Sequence, residues 1–245
     1  MLVPSNTLVV IPTYNECDNI TPLISAIFDL KMGLHLLIVD DNSPDGTARV
    51  VEGLQQYHSH QLHLLNRPQK EGLGKAYLAG FSWALLHNYA YICTMDADFS
   101  HAPSDLPRLL STCAQNKIDV AIGSRYIPGG RVVHWPRTRL LLSHLANWIA
   151  RCITGIPFRD TTAGFICYKR AILKNILLDE IISVGYSFQV EIKFLAYQHG
   201  AKLVEIPVTF TNRTRGLSKM NLKIAGESFL QLLQMKWRNL VQKRR

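Results

Sequence analysis

The chain predicts an α/β fold built on a mostly parallel central sheet. Through its first half, short apolar runs alternate with longer stretches of helical periodicity, the pattern of consecutive βαβ units. Four successive apolar runs end in polar or acidic groups, which such a sheet gathers along one edge. Hydrophobic residues make up 47% and charged residues 18% of the 245 positions, so the chain can bury a sizeable core as one globular body.

Thr7 to Ile11 (TLVVI) is a continuous apolar run before Pro12 and reads as a first buried parallel strand. Pro12 to Glu16 forms the following loop, with Asn15 or Asp18 available to cap a helix through Leu23, Ile27 and Leu30. Leu34 to Val39 is the second strand and runs into Asp40 and Asp41. Asn42 to Thr47 (NSPDGT) carries the residues a turn needs, and a helix through Val50, Val51 and Leu54 follows. Leu62 to Leu65 is the third strand, Arg67 to Gly74 a polar loop, and Ala76 to Leu86 a helix. Tyr91 to Asp98 (YICTMDAD) reads as a fourth strand that ends in two carboxylates. A helix from about Ser104 to Gln115 and a strand from Val120 to Gly123 complete the regular half.

The second half is less periodic. Arg137 to Thr154 predicts an amphipathic helix, Ser187 to His199 another helix, Leu203 to Phe210 a strand, and Met220 to Val241 a final amphipathic helix. The expected division is a catalytic body over residues 1–219 and a basic helical tail over 220–245. From Thr211 onward there are nine Lys or Arg and one acid, against 18 and 17 in the preceding residues. A nearly neutral body with a strongly basic tail implies a polyanionic partner, a nucleic acid or an anionic membrane surface. The aromatic residues are not interleaved with the basic ones except at Trp237, which argues against nucleic acid.

Several classes are excluded. There is no apolar run of about 18 residues, hence no expected membrane span. Met1 to Thr7 lacks the basic start and cleavage site of a signal peptide. Five scattered cysteines without a C-x-x-C pair point to reduced thiols in a cytoplasmic setting. The first strand is followed by IPTYNE rather than a glycine-rich dinucleotide turn. Gly72-Leu73-Gly74-Lys75 has the wrong spacing for a nucleoside triphosphate loop.

Asp96 and Asp98 carry the most specific signal. In an extended strand, residues two apart share a side, so both carboxylates are expected to project together at the strand's exit. Two such anions repel each other and are costly to bury uncompensated. A hard divalent cation, Mg²⁺ or Mn²⁺, resolves that conflict, typically with substrate phosphates filling its other positions. Downstream, the acid-free stretch between Asp119 and Asp160 includes Arg125, Arg131, Arg137, Arg139 and Arg151, a cluster suited to an anionic second substrate.

IPTYNE, VDDNSPDGT, GLGKAYLAGF, MDADFSH, GSRY and TFTNRTRGLSK, in this order from Ile11 to Lys219, resemble family 2 glycosyltransferases with the Rossmann-like GT-A fold. Among them the set is most similar to the polyprenol phosphate mannosyltransferases. The resemblance implies transfer of mannose from GDP-mannose to a polyprenyl phosphate, with inversion and a bound Mg²⁺ or Mn²⁺. It places Pro12, Tyr14, Glu16 and Asp41 on the guanosine nucleotide and Lys70 near the donor phosphates. Asp96 and Asp98, with Ala97 between them, fall at the metal, and Ser100 stands where some relatives carry a Gln ligand. Arg125, Arg139 and Ser143 match positions that hold the lipid phosphate, and Arg213 and Lys219 match a late basic pair that closes over it. Asp98 and Arg125 are the expected catalytic pair. The implied location is the cytoplasmic face of a membrane, peripherally bound, with or without a small membrane subunit and without nucleic acid. A UDP-glucose-dependent polyprenyl phosphate glucosyltransferase is the nearest alternative, and a non-catalytic basic binding module the alternative of another class.

Overall fold

The computed structural model describes residues 6–176, 178, 181, 183, 185, 187–212 and 230–238. Its centre is a seven-stranded sheet. The strands are β1 (Thr7–Thr13), β2 (His35–Asp40), β3 (Leu62–Asn66), β4 (Tyr91–Thr94), β5 (Val120–Ser124), β7 (Ile166–Lys169) and β8 (Leu203–Pro207), in spatial order β3-β2-β1-β4-β7-β5-β8. All neighbours are parallel except β7, which runs antiparallel to both β4 and β5. A small parallel pair, β6 (Arg131–Val133) with β9 (Thr209–Thr211), stands beside it.

The helices up to residue 198 are, among the described residues, α1 (Cys17–Phe28), α2 (Thr47–Gln55), α3 (Leu73–Leu86), α4 (Leu106–Cys113), α5 (Arg137–Thr154), α6 (Arg170–Asn175) and α7 (Ser187–Gln198). They cover both faces of the sheet, which is why its strands are apolar throughout rather than alternating. In β1, Leu8 and Val10 face the side carrying Tyr77 and Phe81 of α3. Val9 and Ile11 face the opposite side, packed with Ile20, Leu23 and Ile24 of α1 and Leu109 and Leu110 of α4. All of these side chains are buried.

Helix α3 lies close enough to β1 that only glycine fits at one crossing. A Cβ on Gly80 would come 2.4 Å from Val10 Cγ1, and Val10 is a β-branched residue locked in the sheet. Gly80→Ala is therefore expected to lower stability. Overpacking costs about 1–3 kcal/mol, which outweighs the gain of about 0.5–1 kcal/mol from removing a helical glycine. Chemical denaturation would register this as a lower midpoint at an unchanged slope.

The sequence-based boundaries of β1, β2, β3 and β5 agree with the structure to within one or two residues, and α5 runs over the expected Arg137–Thr154. Three expectations need correction. The stretch Leu203 to Phe210 is two strands broken at Val208, whose N–H makes the last bond of the β5–β8 ladder, to Ser124 O at 3.0 Å, while its carbonyl accepts the Arg131 N–H of β6 at 3.0 Å. The helix from Ser104 begins as a 3-10 turn over Pro103–Asp105 and becomes α4 only at Leu106. Strand β4 stops at Thr94, four residues short of the expected end.

Candidate active site

The early end of β4 changes how the two carboxylates are placed. Asp96 and Asp98 do not share a side of a strand; they sit in the turn that follows it. The Asp98 carboxylate accepts the Ser100 N–H at 3.0 Å, and between them Phe99 adopts a left-handed φ of 58°. This closed loop bends the chain around the Asp98 side chain. Asp98 is buried, while Asp96 is half-buried and accepts the Tyr77 hydroxyl at 3.2 Å. Tyr77 is fully buried, stacked on Phe188 of α7 with ring centroids 5.8 Å apart. Burial, followed by the Asp96 charge, raises its pKa well above the ordinary phenol value, so it stays a donor to Asp96. The pair is thus fixed by a turn on one side and by a buried phenol on α3 on the other.

The neighbouring strand ends form one continuous edge. Asn15 and Asn42, both left-handed at φ 58° and 55°, turn the chain after β1 and β2. The two loops are laced together: the Asn15 N–H donates to Ser43 Oγ at 3.0 Å, Glu16 N–H to Thr47 Oγ1 at 3.1 Å, and Cys17 N–H to Asp45 Oδ2 at 3.0 Å. Neither Asn15 nor Asp18 caps α1; the Asp45 carboxylate meets its N-terminus from the next loop. Asp40 is fully buried and accepts the Thr13 hydroxyl at 2.8 Å and the Ser43 N–H and hydroxyl at 2.8 and 2.6 Å. It is a structural clasp. Asp41, also buried, is held 2.5 Å from Arg67, whose other nitrogen bonds Glu71. Burial raises the Asp41 pKa against the pull of Arg67. Arg67 was not singled out from the sequence, because nothing local marks an arginine whose partner lies 26 residues earlier. The Lys70 ammonium lies 3.7 Å from the centroid of the Tyr14 ring, joining the loops after β1 and β3.

On the other side of Asp96, the loop before β7 carries a second polar cluster. Asp160 is fully buried and binds Arg125 bidentately, Nε to Oδ2 at 2.7 Å and an NH2 nitrogen to Oδ1 at 2.6 Å. It also accepts the Arg125 backbone N–H at 2.9 Å. The same guanidinium donates to Thr162 Oγ1 at 2.8 Å. Arg125, expected as part of a cluster for an anionic substrate, is thus already paired with a carboxylate, the Asp160 that closes the acid-free stretch. The ion pair holds the Asp160 carboxyl below its ordinary range despite burial. Asn147 Oδ1 accepts the Thr161 N–H and hydroxyl at 2.7 and 2.8 Å, and the buried Lys193 donates to the carbonyls of Thr161, Ala163 and Gln189 at 2.7–2.8 Å. Burial pulls Lys193 down to about 7. Three carbonyl acceptors, one for each ammonium proton, favour its charged form.

Arg139 stacks on Trp135 at 3.8 Å and donates to Asn212 Oδ1 at 2.8 Å. Ser143, one turn along α5, accepts the Tyr126 hydroxyl at 2.6 Å. Arg125 lies 5.8 Å from the same Trp135 ring, so Arg125, Arg139 and Ser143 do converge on one corner. Arg131, Arg137 and Arg151 are exposed. Arg213 and Lys219 lie outside the described residues. Ser100 is buried and its backbone is engaged at both ends, N–H to Asp98 and carbonyl to the Thr211 N–H at 3.0 Å.

Among the described residues no group of three or more His, Cys, Asp or Glu side chains is arranged to hold a metal. Two carboxylates, both oxygen donors, fit a hard divalent cation that takes its remaining ligands from phosphate and water; they would not make an all-protein cage. The residues fit such an ion on those terms.

His101 follows the carboxylate turn directly in sequence. It is buried, stacks on Phe165 with centroids 5.0 Å apart and meets the Phe210 ring edge-on at 5.0 Å. Burial, reinforced by Arg125, lowers its pKa to about 4. The unfolded chain takes up a proton near pH ~6.5, so the stability that neutral His101 contributes is complete above that pH and is lost as pH falls toward about 4. By pH 5 the loss from this residue amounts to about 2 kcal/mol. Unfolding free energies measured at pH 7.5 and 5 should differ accordingly, and the difference should shrink in His101→Phe. An equal pH dependence in both proteins would contradict this assignment.

The model of the family described as "Glycosyl transferase family 2" matches residues 8–181. The chain belongs to glycosyltransferase family 2. Within this family it is 45% identical over 215 residues to a polyprenol monophosphomannose synthase of Mycolicibacterium smegmatis, covering 88% of this chain and 81% of the relative. It is 40% identical over 237 residues to an undecaprenyl-phosphate mannosyltransferase of Micrococcus luteus, covering 95% and 96%. Among solved structures, glucosyl-3-phosphoglycerate synthase from Mycobacterium tuberculosis, in complex with Mn²⁺, UDP and glucosyl-3-phosphoglycerate, superposes with a TM-score of 0.67. It is 16% identical, over 94% of this chain and 78% of that one. A mannosyltransferase from Pyrobaculum calidifontis, in complex with GDP-mannose and Mn²⁺, superposes with a TM-score of 0.62 at 16% identity, over 97% and 64%. These likenesses establish the GT-A architecture expected from the motifs.

Proposed function

We propose that this family 2 glycosyltransferase moves mannose from GDP-mannose to a polyprenyl phosphate, releasing GDP with inversion at the sugar carbon. The observation that carries this reading is the order of groups along one sheet edge. The groups expected at the nucleotide (Pro12, Tyr14, Glu16, Asp41) lie at or just after the ends of β1 and β2, the carboxylates Asp96 and Asp98 follow β4, and the corner of Arg125, Arg139 and Ser143 lies beyond. The near full-length relatives named for mannose transfer to polyprenol and undecaprenyl phosphates support the substrate pair.

A divalent cation bound by Asp96 and Asp98 would neutralise charge on the departing diphosphate. Lys70, placed on Tyr14, adds a positive charge on the nucleotide side. A phosphate monoester is already largely dianionic near neutral pH, its second ionisation falling near ~6, so the acceptor needs no strong base. Its oxygen attacks the anomeric carbon as the bond to the diphosphate breaks, and the electron pair leaves with GDP. The protein's task is positioning and charge stabilisation. Arg139, flat on Trp135, presents its guanidinium edge to the acceptor phosphate, whereas Arg125 is tied to Asp160 and acts mainly by fixing the corner. Ser143 adds a hydroxyl beside it.

A peripheral position on the cytoplasmic face of a membrane fits the surface. Helix α5 exposes Leu141, Leu142, Leu145 and Trp148 on the helix that carries Arg139 and Ser143. Residues 230–238 are helical; Leu232 and Met235 are buried in the main core, while Leu230, Leu233 and Trp237 are exposed. The rest of the expected tail, 220–229 and 239–245, lies outside the described residues. No helix among the described residues is long and apolar enough to cross a membrane. An apolar, Trp-bearing surface with basic neighbours suits the headgroup boundary. The buried Leu232 and Met235 mean that truncation after Lys219 removes core packing as well as charge, so Trp148→Glu is the cleaner probe. It should reduce flotation with anionic vesicles without lowering the unfolding midpoint.

The reading is tested by offering labelled GDP-mannose and UDP-glucose separately with a polyprenyl phosphate and Mg²⁺. Lipid-extractable label is expected from GDP-mannose. A stronger signal from UDP-glucose would replace mannose by glucose in this reading.

A further inference from the structure

Gln189, the third residue of α7, is buried, yet among the described residues neither end of its side-chain amide has a hydrogen-bond partner. The residues around it are tightly committed. Phe188 stacks on Tyr77 and on Phe81, the Gln189 carbonyl accepts Lys193, and the Ser183 N–H donates to the next-but-one carboxylate, Glu191, at 2.9 Å. Helix α3 presses so close that a Cβ on Gly74 would come 2.6 Å from Ser183 O and 3.0 Å from Phe188 Cβ. The backbone that carries Gln189 is therefore fixed, and its amide is placed where no group among the described residues satisfies it.

What the amide faces is the site. Across from it, Gly164 has no side chain. A Cβ there would stand 3.4 Å from Gln189 Nε2 and 3.7 and 3.9 Å from the two oxygens of Asp96. The Gln189 amide and the Asp96 carboxylate thus both lie within contact distance of one small space beside Gly164, where a side chain is lacking. That space lies on the β7 side of Asp96, between the carboxylate pair and the Arg125–Arg139 corner, away from the nucleotide-facing loops of β1 and β2.

We propose that Gln189 recognises hydroxyl groups of the sugar being transferred and is a specificity-determining residue of this enzyme. The inference rests on the reading of Asp96 and Asp98 as the donor-diphosphate site. A diphosphate held there has its nucleotide toward β1 and β2 and its sugar toward the acceptor corner, which brings the sugar against Gln189. A neutral amide offers two donated protons and one acceptor oxygen, the complement of adjacent hydroxyls on a hexose. A buried polar group that is satisfied only by the right ligand discriminates strongly against one lacking the matching hydroxyl.

The test compares wild type with Gln189→Leu and Gln189→Met by titration calorimetry with GDP and with GDP-mannose in the presence of Mn²⁺, and by steady-state transfer. GDP affinity should be unchanged, because GDP does not reach the amide. GDP-mannose should lose affinity relative to GDP, and kcat/KM should fall by roughly 10- to 100-fold. The unfolding temperature should hold or rise, since the substitutions remove an unpaired buried amide. Three outcomes would overturn the proposal: GDP and GDP-mannose weakening in equal proportion, transfer within threefold of wild type, or both variants failing to fold. If wild type itself binds GDP but not GDP-mannose, the donor reading fails instead, and the two failures are thereby distinct.

Discussion

Asp98→Ala is expected to abolish transfer while leaving the protein folded. Loss of one electrostatic stabiliser at a reacting centre typically costs a factor of ~10²–10³ in turnover, and removal of a metal ligand belongs at the upper end of that range. The structure adds a second role, because the Asp98 carboxylate also accepts the Ser100 N–H and closes the turn through Phe99. Asp98→Asn separates the two. Its amide oxygen can still accept the Ser100 N–H, so the turn persists, while the charge that attracts a divalent cation is gone. Asp98→Asn should therefore keep the wild-type unfolding temperature and show the same catalytic loss as Asp98→Ala. Part of the loss in Asp98→Asn should be recovered by raising the metal concentration. Full turnover by either variant would remove Asp98 from the chemistry.

The second large effect concerns Arg125 and Asp160. Breaking a buried ion pair by deleting one partner costs about 3–5 kcal/mol, because an uncompensated charge stays behind. Arg125→Ala leaves the fully buried Asp160 with its guanidinium removed, and Asp160→Ala leaves a buried guanidinium without its carboxylate and with only the Thr162 hydroxyl of its present hydrogen-bond partners. Both should lower the unfolding midpoint substantially. Were Arg125 only a solvated ligand for the acceptor phosphate, its removal would leave stability unchanged and raise the acceptor KM alone. Arg139→Ala is the contrast, since Arg139 is half-buried, lies over Trp135 and donates to Asn212 Oδ1. It should raise the acceptor KM with a small change in stability. Differential scanning measurements on the three variants, set beside acceptor titrations, separate the positioning residue from the binding one.

Much of this was legible in the sequence because the signals are local. TLVVI, the LLIVD run and VAIGS are continuous apolar segments bounded by turn residues, and a parallel sheet covered on both faces produces such segments. The helical stripe from Arg137 to Thr154 gave its own limits. What the sequence did not disclose depends on long-range pairing. Strand β7 is only four residues long and antiparallel in an otherwise parallel sheet, and nothing within Ile166–Lys169 says that it inserts between β4 and β5. The same holds for Arg125 and Asp160, 35 residues apart, and for Arg67 and Asp41, 26 apart. Gln189 was passed over for a related reason. A glutamine inside a helix reads as an exposed position, and only the packing of Phe188 and Gly74 shows that it is buried beside Asp96.

The most direct test of the central claim follows both halves of the reaction at once. Purified protein would be given GDP-mannose, a polyprenyl phosphate and Mg²⁺, with the lipid phase read by mass spectrometry and the aqueous phase assayed for GDP. The account predicts a polyprenyl phosphate carrying one added hexose, formed one-for-one with GDP, and neither product with Asp98→Ala. Release of free mannose without a lipid product, or lipid product formed equally well by Asp98→Ala, would contradict it.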